Sequence, residues 1–119
     1  SEKMKEFSLL LKETKKFVKA ASRSAFVATI VPTKEENETL IEPIWDGMLG
    51  KIAKAYLLDE ADEAAMREKV ASTIRGEQFL IKLTKHLRLL NALEKYSATS
   101  LIGSDAINMS EKILKGKNS

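Results

Sequence analysis

Residues 2–30 read EKMKEFSLLLKETKKFVKAASRSAFVATI, and the spacing inside this stretch sets the fold class. Met4, Phe7, Leu11, Val18, Ala21, Ala25 and Ala28 recur at steps of three, four or seven, with Thr14 in the one weak slot. Such steps return to the same side of an α-helix, so these residues form one apolar stripe along a helix of about seven turns. Leu10, Phe17 and Val27 widen the stripe. Pro32 then ends the helix, because the residue before a proline is pushed out of helical dihedrals.

The same periodicity continues downstream. Thr33-Lys34-Glu35-Glu36 reads as a capping box, in which the hydroxyl and the second glutamate satisfy each other's free backbone amides. Ile41, Trp45, Met48, Ile52, Ala55 and Tyr56 follow on one register and predict a helix ending near Leu58. Pro43 either kinks that helix or opens a new one from its first turn, and the kinked helix is favoured. Asp59-Glu60-Ala61-Asp62 supplies the next start signal, and Ala65, Met66, Val70 and Ile74 lead on to Gly76. That glycine either separates two helices or softens one. Phe79, Leu80, Leu83, Leu87, Leu90 and Leu93 form the most apolar face of the chain and are expected in the core. Ser97-Ala98-Thr99-Ser100 reads as a connection, and Ile102, Ala106, Met109 and Ile113 as a last helix stopped at Gly116. The sum is an all-α chain: an antiparallel four- to five-helix bundle, one domain over residues 1–119. The start at Ser1 rather than at a methionine reads as trimming from a longer protein.

Composition excludes several function classes. With no cysteine there is no thiol nucleophile, thiolate zinc site, iron–sulfur cluster or disulfide, which points to the cytoplasm or another reducing compartment. The longest apolar run, Ala25 to Val31, is broken by Thr29 and falls well short of the roughly 18–20 residues that span a bilayer, so no transmembrane segment is expected. Charge is unevenly spread: residues 1–32 carry +4, residues 33–62 carry −5 and residues 63–119 carry +4. The acidic middle can offset the basic ends within one bundle, which weakens the net charge of +3 as a sign of a polyanion partner.

Candidate chemistry is sparse. His86 is the only histidine, and a lone imidazole on a helix face is a phosphate acceptor, base or ligand only with partners. Phosphotransfer bundles resemble this architecture in outline, but they carry lysine and glycine three and four residues after the histidine, where this chain has Leu89 and Leu90. His86 therefore reads as an ordinary half-buried helix residue. Glu35, Glu36 and Glu38, and the cluster Asp59, Glu60, Asp62 and Glu63, read as helix-start acids that complement the dipole. Gly47 and Gly50 are too few for a phosphate-binding loop, and Ser22, Ser24 and Ser97 lack a positioned base. No catalytic residue, metal or cofactor is expected. Trp45, Met4, Met48, Met66 and Met109 fall on core registers.

The best functional lead is basic. Lys5, Lys12, Lys16, Lys19 and Arg23 fall at steps of seven, four, three and four and line one face of the first helix. Lys82, Lys85, Arg88 and Lys95 form a second row, and two rows side by side would make a patch for phosphates or an acidic protein. The consecutive apolar runs Leu9 to Leu11 and Phe79 to Ile81 wrap past a narrow stripe, which leaves apolar surface for a partner.

Three groups of residues carry a family resemblance. They are Ala21-Ser22-Arg23-Ser24 with Leu40-Ile41-Glu42-Pro43, then Arg75-Gly76 followed by Phe79, and Ile113-Leu114-Lys115. Together they resemble stretches of the N-terminal helical domain of the cyclase-associated proteins, which regulate actin turnover. The resemblance implies an actin-regulatory helical domain as a remote alternative, and it carries over no functional residue. The expectation from the residues themselves is a non-enzymatic interaction module, an adaptor, scaffold piece or homo-oligomer subunit, that binds a protein partner through an exposed helix face. Nucleic-acid or other polyanion binding through the basic residues is the alternative.

Overall fold

A computed structural model describes residues 2–31 and 41–118. They form four helices and no strand: α1 (Glu2–Ile30), α2 (Ile41–Ala55), α3 (Glu60–Leu83) and α4 (Arg88–Lys117). The chain is all-α, its four helices sharing one core inside a rod 48 Å long.

Side-chain contacts give the helix directions. Lys3 Nζ reaches the Asn118 carbonyl at 3.4 Å and Ser22 Oγ meets Ser100 Oγ at 2.9 Å, so α1 and α4 run in opposite directions. Gln78 of α3 bonds Glu42 at 3.2 Å, and Arg67 bonds Asp46 at 2.8 Å, which reverses α3 against α2. Trp45, Met48, Ile52 and Tyr56 from α2, Met66 and Val70 from α3, and Ile102 and Ala106 from α4 fill the core. Val18 and Ala25 meet them from α1, whose buried face is otherwise hydroxyl-bearing: Thr14, Ser22 and Thr29. Thr14 and Thr29 satisfy their hydroxyls on the carbonyls of Leu10 and Ala25 one turn back.

The start and stop signals explain most boundaries. Asp59 caps α3, its Oδ1 accepting from the Asp62 amide at 2.8 Å. Pro43 lies in the first described turn of α2, where its missing N–H costs nothing. That helix ends at Ala55, three residues before the expected Leu58. Leu57 adopts a left-handed φ of 56°, and the Leu58 amide bonds the Ala53 carbonyl at 3.0 Å. This is a Schellman ending with leucine where glycine is usual. The capping box at Thr33 to Glu36, and the choice between a kinked and a fresh second helix, lie outside the described residues.

The structure corrects four other expectations. Ser97 to Ser100 is no connection, because it lies inside α4. Its small residues let α4 approach its neighbours, and Thr99 Oγ1 accepts from Trp45 Nε1 at 2.9 Å while donating to the Lys95 carbonyl at 2.7 Å. The break comes earlier, at Thr84–Leu87, where Asn91 Nδ2 donates to the Ile81 carbonyl at 2.9 Å and to Thr84 Oγ1 at 3.1 Å. Gly116 lies inside α4 and does not stop it, while at Gly76 α3 runs on as one helix, the second of the two readings of that glycine. Met4 is 73% exposed near the start of α1 and outside the core, unlike Met48 and Met66.

Candidate interaction surface

The largest departure from the expected core is the turn between α3 and α4. Phe79, Leu80, Leu83, Leu87, Leu90 and Leu93 were expected inside, yet all are exposed, and Leu89 joins them. Leu83 is 65% exposed, and Phe79 and Leu89 are each 61% exposed. The physical reason is the position of the break. With α3 ending at Leu83 and α4 starting at Arg88, the apolar row no longer lies on one rod facing one core. Buried Ile81 and Asn91 take the inward positions there, and the leucines turn outward. Leu101 and Tyr96 are exposed further along α4, with Tyr96 on the side that faces Leu11, Val18 and Lys19 of α1.

The turn is held firmly. Thr84 Oγ1 donates to the carbonyls of Leu80 and Ile81 at 3.2 and 3.1 Å, and the Leu87 amide bonds the Thr84 carbonyl at 3.0 Å. The Asn91 side chain adds a bond to the Ile81 carbonyl from across the turn, and the Lys85 amide bonds the Lys82 carbonyl. Further along, Thr73 Oγ1 of α3 donates to Asp105 Oδ2 at 2.7 Å. Between these contacts Glu77 and Glu94 meet. Burial first, and then the hydrogen bond and like charge of Glu94, push the Glu77 carboxyl above its ordinary range.

All the expected basic site residues are at the surface. Lys5, Lys12, Lys16, Lys19 and Arg23 are exposed along α1, and Lys82, Lys85 and Arg88 around the α3–α4 turn. The ion pairs among the described residues join Arg67 to Asp46 and Glu63, Lys115 to Glu111, and Lys117 to Asp59 and Asp62. None uses the eight basic site residues, and none brings an acid of residues 41–62 against α1. The two rows do not lie side by side, however. Ser22 faces Ser100, and Arg88 stands twelve residues before Ser100, about 18 Å along the axis. The rows therefore occupy successive stretches of the rod. Lys95, read as part of the second row, is buried at 3% exposure and leaves it.

The remaining candidates resolve as structural groups. His86 is exposed in the α3–α4 turn, not half-buried on a helix. Among the described residues no group of three His, Cys, Asp or Glu side chains could hold a metal ion. The cluster at Asp59 and Asp62 is tied down. The Asp62 amide, and then Lys117, hold the Asp59 carboxyl below its usual range, while Asp62 and Asp59 raise Lys117. Trp45 is a core residue at 2% exposure. No helix is long and apolar enough to cross a membrane, among the described residues. No family model, curated protein or solved structure matches the chain.

Proposed function

We propose that this chain is a non-enzymatic helical interaction module that binds a protein partner through the apolar end of the α3–α4 hairpin. One observation carries the reading: seven large apolar side chains, Phe79, Leu80, Leu83, Leu87, Leu89, Leu90 and Leu93, are exposed on one turn and its flanking helix ends. Scattered exposed leucines are ordinary, but a contiguous group rimmed by charge marks an interaction site. Freedom from cysteine suits an adaptor or scaffold piece of the cytoplasm.

Capture followed by reconstitution tests the reading. A protein retained by the chain, once purified, should form a complex of fixed stoichiometry in sedimentation. Leu83→Asp with Leu90→Asp should abolish that complex while leaving the helical dichroism intact. Undiminished assembly by this variant would rule the surface out.

A second reading rests on a separate observation, the exposed row Lys5, Lys12, Lys16, Lys19 and Arg23 with no acid paired to it among the described residues. Such a row suits nucleic acid or another polyanion. Binding of duplex DNA or RNA should then weaken steeply between low and moderate salt, and Lys12→Glu, Lys16→Glu and Lys19→Glu together should remove it.

A further inference from the structure

All four helices meet around a cavity of about 640 Å³ at the end of the bundle that carries the α3–α4 turn. Thr29 enters it from α1 and Ile41 from α2, beside Ile81 of α3, and all three are buried. The sequence brings cations to the same place. Lys82 and Lys85 follow Gln78 at steps of four and three, along α3 and into the turn. Arg88, Asn91 and Lys95 follow at steps of three and four along α4. Steps of three and four keep each set on one side of its helix, and both sides face the cavity.

Among the described residues the lining holds four cationic side chains, Lys82, Lys85, Arg88 and Lys95, against one carboxylate. That carboxylate, Glu42, accepts from Gln78 at 3.2 Å. Lys82, Lys85 and Arg88 are exposed and take part in none of the ion pairs among the described residues, while Lys95 is buried at 3% exposure. The cations therefore run from the mouth of the cavity to its floor. Asn91 spends both amide hydrogens on the Ile81 carbonyl and Thr84 Oγ1, which fixes the α4 wall against the α3 wall before any ligand arrives.

Size and charge select the occupant. The volume lies within the range of roughly 300–1,000 Å³ that small-molecule sites occupy. A partner helix, about 10–12 Å across, would fill it within about one turn. One phosphate group carries at most about −2 at neutral pH, so a single group leaves the lining cationic and two adjacent groups balance it. Two phosphates take up only part of the space, and Ile41 and Ile81 offer an apolar wall to an organic body.

We propose that this cavity binds a small organic diphosphate, with its phosphates held by Lys82, Lys85, Arg88 and Lys95 and its organic body against Ile41 and Ile81. The assignment uses neither the exposed leucines nor the α1 row.

Calorimetric titration of the full chain with inorganic phosphate, pyrophosphate and ADP, at a fixed salt of about 0.15 M, tests the site. Pyrophosphate should bind once per chain and at least about tenfold more tightly than phosphate, and ADP at least as tightly as pyrophosphate. Lys82→Gln, Lys85→Gln and Arg88→Gln together should weaken pyrophosphate at least about tenfold, with helical dichroism unchanged. Lys85→Gln alone lies outside both helices and should weaken it at least about threefold, which keeps the test decisive if the triple variant unfolds. Lys12→Gln, Lys16→Gln and Lys19→Gln remove the same charge from α1 and should leave binding within about twofold. Equal weakening by the two triple variants would overturn the proposal, because net charge alone would then attract the ligand. So would the lack of a saturable site, more than one pyrophosphate per chain, or the exclusion of ADP. Binding that emerges only after Glu35→Gln, Glu36→Gln and Glu38→Gln would overturn it as well, since the chain's own acids would then be the anions of the cavity.

Discussion

The two ends of α4 bury different things. Between Ala98 and Ser110 it presents small and medium residues inward, Ala98, Thr99, Ile102, Gly103, Ala106 and Ser110, and all of them are buried. There Gly103 lets the backbone approach Val18 so closely that an added Cβ would lie 2.7 Å from Val18 Cγ1 and 3.1 Å from Met48 Sδ. Between Leu87 and Leu93 the same helix is far greasier, yet Leu87, Leu89, Leu90 and Leu93 face outward. Tight packing in this molecule follows from fit, and the richest apolar stretch lies outside it. A core needs side chains that interlock, whereas a recognition surface needs bulk that is left without a neighbour.

That contrast can be broken from the packed side first. Trp45→Ala would empty the centre where α2 meets α4 and leave Thr99 without its donor. A loss of about 3–5 kcal/mol in urea unfolding is expected. Gly103→Ala gains helix propensity but drives a methyl into Val18, a β-branched side chain that cannot rotate aside, and a net loss of about 1–3 kcal/mol is expected by the same measurement. On the other side, Leu83→Asp and Leu90→Asp should each move stability by no more than about 0.5 kcal/mol, since neither side chain is in the core. Comparable losses at Leu83 and Gly103 would erase the distinction.

The smallest effect sharpens the boundary between the two regions. Glu77 binds its proton more tightly in the folded chain than in the unfolded one. Its contribution is therefore fully favourable below the ordinary glutamate range and is lost as pH rises through the raised value. Glu77→Gln should raise the melting temperature slightly at neutral pH and leave it nearly unchanged at acid pH. A variant that melts lower at pH 7 would show the carboxylate to be better solvated than its burial implies.

Much of the fold is legible in the residues, and the illegible part has a physical cause. The stripe of residues 4–28 marks α1, Pro32 marks its end, and Asp59 marks the start of α3, because each acts on the backbone within a turn or two. The break at Thr84–Leu87 carries neither glycine nor proline. It depends on the Asn91 amide reaching Ile81, a contact ten residues apart that exists only once the hairpin has closed. Ser97 to Ser100 misleads for the converse reason: hydroxyls that end helices when solvated extend one here by bonding to Trp45, Ser22 and a carbonyl in the helix. Reading the leucines as core followed from the missed break. The basic residues were legible as one face of α1, but neither their exposure nor their placement relative to the second row was, since both depend on how the helices pack.

The pairing of Ser22 with Ser100 has a consequence for how the chain is made. These partners are 78 residues apart, while Asn91 and Ile81 are ten apart. At the usual pace of synthesis, about 5–20 residues per second, the inner face of α1 waits about 4–16 s for the helix that covers it. The hairpin can close as soon as its second arm leaves the ribosome. Residues 2–30 therefore wait longest for the helix that covers them, and their hydroxyl-rich inner face is well suited to a long wait in water.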